Sequence, residues 1–293
     1  MKRKLRLLLA PLLLSSPFLL GQENVTPGTA YRPQDPEPVW ATSLAGAVER
    51  ARSMPDGRIF VELLEEPCPQ CERMASLVYP SADFRAFIKD KVPVSLLRSS
   101  PDGARLSERF GVRASPAWLV LTPDLLLAGK QEGASNQSTW FDRFISSERE
   151  WALFKQKLAR EKAAPEDLAA SLAVGEEAYR RYGDAMAEER FRRVADDPKA
   201  SNDLRERALS FLASIALENR RFDEAETDLK KILATTKDPV LREKGELRLA
   251  DVDLGRGDRL KAAERLRAFL VEHPESPLRP QAEELLKALG AAK

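Results

Sequence analysis

The chain has two cysteines, Cys68 and Cys71, and they stand where an apolar run gives way to a helix-compatible one. Upstream, Arg58-Ile59-Phe60-Val61-Glu62-Leu63-Leu64 is apolar around a single acid, the pattern of a strand buried on both faces rather than one alternating toward water. Downstream, Glu72-Arg73-Met74-Ala75-Ser76-Leu77-Val78 suits a helix. A strand that runs into a helix through Cys-x-x-Cys sets the first sulfur at a helix start. There, unpaired backbone N–H groups and the positive end of the helix dipole stabilise a thiolate. Cys68 is therefore the expected attacking sulfur, and Cys71, one turn on, the resolving one.

Spacing also bears on what such a pair is for. Two cysteines three residues apart close too small a loop to constrain an unfolded chain much, since that stabilisation grows with loop length. A redox pair is the better reading than a structural bridge. Other cysteine chemistries fit less well. Zinc needs three or four ligands, and the single histidine, His273, is far along the chain, so no metal is expected. His273 reads instead as the end of a repeat helix. Haem attachment needs a histidine after the second cysteine, where Glu72 stands. Gly255-Arg256-Gly257-Asp258 lacks the rest of any phosphate-loop fingerprint, so no cofactor is expected.

Residues 1–22 begin with Lys2, Arg3, Lys4 and Arg6 and continue into an apolar stretch from Leu7 to Leu20, the layout of a secretory signal. The stretch is interrupted by Pro11 and Pro17 and falls short of the roughly 20 apolar residues of a spanning helix. Leu19 and Gly21 make a poor cleavage site, which leaves an uncleaved N-terminal membrane tether as the alternative. The expected location is exported, periplasmic or extracellular. Without those four cations the chain carries 43 basic against 46 acidic residues, and no basic block remains that suggests nucleic acid.

After a proline-rich tether at 23–38, the pattern alternates. Leu44, Ala45, Val48 and Ala51 sit at helical spacing, and Asp56-Gly57 turns into the strand at 58–64. Ser81 can cap a helix that buries Phe84, Phe87 and Ile88. Strands follow at Val92 to Leu97, Ala117 to Leu121 and Leu125 to Lys130, with helices from Ala104 to Phe110 and Thr139 to Ile145. Strands alternating with helices predict an α/β layer fold with a mixed sheet over 39–147.

This segment resembles the exported thioredoxin-like proteins, which have a Trp and a helix before the first core strand. Three features carry the resemblance: the strand before Cys-x-x-Cys; Glu62, where thioredoxins hold a buried acid; and Gly111-Val112-Arg113-Ala114-Ser115-Pro116-Ala117, where the family has its cis-proline loop. The resemblance implies a thioredoxin fold acting on protein thiols and disulfides. It implies that Ser115 and Pro116 contact substrate, the backbone before a cis-proline being turned toward the active sulfur. It further implies that Glu62, if buried with a raised pKa, accepts the proton of Cys71 during resolution. A strand edge that lets Glu62 reach water is the alternative. The chain departs from the family at Pro67, where many relatives have Trp, and at Glu65 and Glu66, whose charge opposes a Cys68 thiolate, while Arg73 favours it.

Residues 148–168 read as a charged helical linker around Trp151 and Phe154, broken at Pro165. Beyond it, over 169–293, the chain repeats. Val174-Gly175, Ala178, Ala187, Phe191 and Val194 recur as Leu212-Ala213, Ala216, Ala225, Leu229 and Ile232, then as Leu249-Ala250, Asp253, Ala262, Leu266 and Phe269. The period is 38 and then 37 residues. Pro198, Pro239 and Pro274 are expected to end the second helix of each pair, and Leu278 to Leu289 to cap the array. The pattern resembles tetratricopeptide repeats, an all-α superhelix whose concave surface binds a protein or peptide. Asp253 makes the third repeat irregular. Together the two parts predict an exported thiol–disulfide oxidoreductase with a partner-recruiting helical domain. The alternative is a non-enzymatic adapter with a structural thioredoxin-fold head.

Overall fold

The computed structural model describes residues 39–290, so the signal and tether read at 1–38 lie outside the described residues. Among those described, the chain divides into two compact units, 39–156 with 180–183, and 157–179 with 184–290.

The first unit is built on β1 (Arg58–Leu64), β2 (Lys91–Leu97), β3 (Ala117–Leu121) and β4 (Leu127–Glu132), in the sheet order β2-β1-β3-β4. β1 pairs parallel with β2 and antiparallel with β3, and β3 antiparallel with β4. Every residue of β1 is buried because helices cover both faces of the sheet. Ile59, Val61 and Leu63 pack with Leu44, Ala47 and Ala51 of α1 (Leu44–Arg52) and with Leu106 and Phe110 of α4 (Pro101–Phe110). Phe60 points the other way, into Met74 and Val78 of α2 (Pro69–Val78), Phe84 and Ile88 of α3 (Ala82–Ile88), and Trp140 and Phe144 of α5 (Gln137–Ala163). A continuous apolar strand is what this double cover demands. The result is a mixed four-stranded sheet flanked by helices that resembles the thioredoxin fold.

The edges of elements differ from the sequence reading for local reasons. α4 starts at Pro101 rather than Ala104, because Ser100 caps it and proline fits the first turn, where no N–H is needed. Gly103 lets this helix press on the end of β2, since a Cβ there would lie 1.9 Å from the carbonyl oxygen of Leu97. β4 starts at Leu127 rather than Leu125, which sits in a left-handed turn at φ 58°. The closing helix and the linker are one 27-residue helix, α5, which stops before Pro165. Phe87 is only half-buried, whereas Phe84 and Ile88 are enclosed.

The second unit is helical: α6 (Leu168–Arg180), α7 (Asp184–Asp196), α8 (Asn202–Glu218), α9 (Phe222–Thr235), α10 (Pro239–Gly255), α11 (Arg259–Glu272) and α12 (Arg279–Ala288). From α7 onward each packs on the next. Every recurring position is buried, from Val174, Ala178 and Ala187 through Ala216, Ala225 and Leu229 to Ala250, Ala262 and Leu266. Asp253 occupies the same inward position as its apolar counterparts; Lys261, at 2.9 Å, and Arg265, at 2.5 Å, neutralise it. Pro239 opens α10 at its first turn instead of closing α9. Ala282 and Leu286 of α12 cover Leu266 and Phe269. Among the described residues no helix is long and apolar enough to cross a membrane.

Candidate functional site

The site begins at the start of α2. Pro69 takes the first helical position and Cys68 caps the helix: its Sγ accepts the N–H of Cys71 at 3.1 Å, and its carbonyl accepts the N–H groups of Cys71 at 3.0 Å and Glu72 at 3.2 Å. The sulfur thus fills the place a Ser or Asp side chain would take. Cys68 and Cys71 form a disulfide with their Cα atoms 5.3 Å apart. Cys68 is half-buried, with Glu65, Glu66, Pro67, Pro69 and Gln70 exposed around it, whereas Cys71 is 3% exposed. Glu66–Pro67 is a cis peptide.

The proline loop is held from several sides. Gly111 ends α4 in the left-handed conformation that redirects the chain, φ 61°. Glu132 on β4 then accepts the N–H groups of Arg113 at 2.7 Å and Ala114 at 3.2 Å. Burial works against the Glu132 charge, but Lys130 and these two N–H groups outweigh it and hold the carboxyl below its ordinary range. The Ser115–Pro116 peptide is cis, with Ser115 half-buried and Pro116 buried.

Arg98, just past β2, joins this loop to the segment leading to the cysteines. Its backbone N–H donates to Leu64 at 2.8 Å, while its guanidinium pairs with Glu65 and donates to Ser115 Oγ at 3.3 Å and to the Val112 carbonyl at 3.4 Å. The Glu65 charge, which the sequence sets against a Cys68 thiolate, is therefore neutralised in place.

Glu62 lies inside the sheet at 3% exposure and does not reach water by a strand edge. Its register partners are Ser95 on β2 and Trp118 on β3. Ser95 donates to one carboxylate oxygen at 2.7 Å, Tyr79 donates its hydroxyl to the other, and Trp118 Nε1 donates to the Tyr79 oxygen at 3.0 Å. Burial raises the Glu62 pKa, and these donors pull it part of the way back. Burial and the adjacent carboxylate push Tyr79 well above its ordinary value. Glu62 makes no hydrogen bond to either cysteine. Tyr79, Ser95, Trp118 and Arg98 were not marked by the sequence; only the strand register and the end of α2 bring them to the acid and the loop.

The first unit is thus a thioredoxin-like sheet with a disulfide at the head of α2, one of the helices that cover it. No family model matches the chain, and no curated protein matches it. Among solved structures it is similar to an oxidoreductase titled DsbH, at 17% identity and a TM-score of 0.31, over 45% of this chain and 94% of that one. It is also similar to a thioredoxin from Thermus thermophilus, at 18% identity and a TM-score of 0.29, over 41% and 85%.

Proposed function

We propose that the protein is an exported thiol–disulfide oxidoreductase that exchanges electrons with protein substrates through Cys68 and Cys71. The observation that carries this reading is the asymmetry of the pair: a half-exposed sulfur capping α2 and a buried one a turn further on. In the reduced protein the Cys68 thiolate attacks a substrate disulfide. It forms a mixed disulfide and expels one substrate thiolate. Cys71, deprotonated, then attacks Cys68 Sγ, re-forms the Cys68–Cys71 bond and releases the second substrate thiol; two electrons pass to the substrate, and the reverse sequence oxidises it. Glu62 is the acceptor for the Cys71 proton, since burial raises its pKa and so makes its carboxylate a stronger base. Ser115 and Pro116 hold the extended substrate chain.

The helical unit is read as a tetratricopeptide-like superhelix that recruits a protein or peptide partner. Support comes from the recurrent burial of small residues such as Ala187, Ala225 and Ala262. Export rests on the signal-like residues 1–22, and fractionation of the producing cell tests it.

The reduction potential of the cysteine pair tests the redox reading. A value between about −270 and −120 mV marks an exchanging pair, whereas one below about −300 mV marks an inert bridge and a non-enzymatic adapter.

A further inference from the structure

His273 is the only histidine in the chain. It caps α11, and α10 brings two carboxylates to it. Its Nε2 lies 2.7 Å from Glu246 Oε2, and its Nδ1 lies 3.7 Å from Glu243 Oε1. The other Glu243 oxygen accepts the Ser276 hydroxyl at 2.6 Å, which fixes that carboxylate behind the ring. Phe269 packs on the imidazole with centroids 4.9 Å apart. Glu272 completes the group: one ligand atom each from Glu246, Glu272 and His273 lies within 4.8 Å of the others. Among the described residues none of these carboxylates pairs with a lysine or arginine, and His273 is the one basic group set among them.

We propose that Glu246, Glu272 and His273 bind a divalent transition-metal ion, with zinc the best match. One imidazole nitrogen and two carboxylates are a zinc donor set, and the surface position leaves a fourth place for water. Calcium and magnesium favour all-oxygen shells and make poorer use of the ring. A metal-bound histidine usually turns its second N–H to a carboxylate, and Glu243, anchored by Ser276, lies 3.7 Å from Nδ1, within a small side-chain movement of that arrangement. The sequence concealed this because Glu246 lies 27 residues before His273. Bound metal would staple the end of α11 to α10, a role independent of the redox reading.

The test is calorimetric titration of the chain with zinc chloride. Any affinity tag is removed and the cysteines are kept oxidised so that they offer no thiolate. One equivalent is expected to bind, and cobalt in its place should give the visible absorption of a low-coordinate nitrogen–oxygen site. Binding should weaken at least tenfold in His273→Gln and in Glu272→Gln, and about tenfold in Glu243→Gln. Glu272 is exposed and its side chain makes no hydrogen bond among the described residues, so loss of binding there is not loss of fold. No saturable binding, or binding unchanged in His273→Gln and Glu272→Gln, would leave only an imidazole–carboxylate pair and overturn the site.

Discussion

Tyr79 donates its hydroxyl proton to Glu62 and so fastens the end of the cysteine helix to the acid in the middle of β1. Disulfide and acid are thereby attached to opposite ends of α2, and the carboxylate oxygens are engaged by Tyr79 and Ser95. A proton that reaches Glu62 must be accommodated within this network.

Glu62→Gln keeps the shape of the side chain and can still accept from Tyr79, yet it cannot take up a proton. First attack by Cys68 should be near normal in this variant. Resolution of the mixed disulfide by Cys71 should slow by about tenfold or more, most visibly near neutral pH. Stopped-flow exchange with a trapped mixed disulfide measures both steps. Unchanged resolution would reduce Glu62 to a tolerated core acid.

The same variant reports on stability. Because burial raises the Glu62 pKa, the folded chain holds this proton more tightly than the unfolded one. The stability that protonation supplies is present below the ordinary Glu range and is lost as pH rises through the folded value. Glu62→Gln should therefore melt a few degrees above the parent at pH 7, at roughly 4 °C per kcal/mol. The two curves should converge near about pH 4. Calorimetry across that range gives the comparison; a gap that widens toward acid pH would contradict the sign.

Differential alkylation distinguishes the two sulfurs. In the reduced protein Cys68 should label faster than Cys71 by about tenfold or more, since the first is half-exposed at a helix start and the second is buried. Equal rates, or faster labelling of Cys71, would reverse their roles.

Arg98→Met removes the cation from Glu65 and the donor from Ser115. The Cys68 thiol pKa should rise, seen as an alkylation-rate profile displaced to higher pH and a severalfold slower attack at pH 7. Adding Glu65→Gln should return the profile to that of the parent without returning substrate KM, because the Ser115 contact is still missing. A profile that ignores both substitutions would show that Arg98 only packs the loop.

Much of this was legible in the chain. β1 declared itself because a strand covered on both faces must be apolar throughout, and the repeat declared itself because its inward positions admit only small or apolar residues. Asp253 breaks the second rule only on paper, since Lys261 and Arg265 of the following helix neutralise it. Helix continuity was harder to read: the charged surface of residues 148–163 looks like a linker, yet i-to-i+4 hydrogen bonding does not depend on what faces solvent. The partners of Glu62 were out of reach, since Ser95 and Trp118 meet it through strand register and Tyr79 through the length of α2. Arg98 was hidden for the same reason, its contacts coming from two distant segments, Glu65 before the cysteines and Val112 and Ser115 in the proline loop.

The backbone amide of Cys71 donates to the carbonyl and the sulfur of Cys68 at once. A neutral disulfide sulfur polarises that N–H weakly, whereas a thiolate makes it a charge-assisted bond of about twice the strength. One native nitrogen resonance therefore senses both the oxidation state and the ionisation of the attacking sulfur, with no label on the sulfur and no substrate present. The peptide group that closes the first turn of α2 serves as the chain's own electrode.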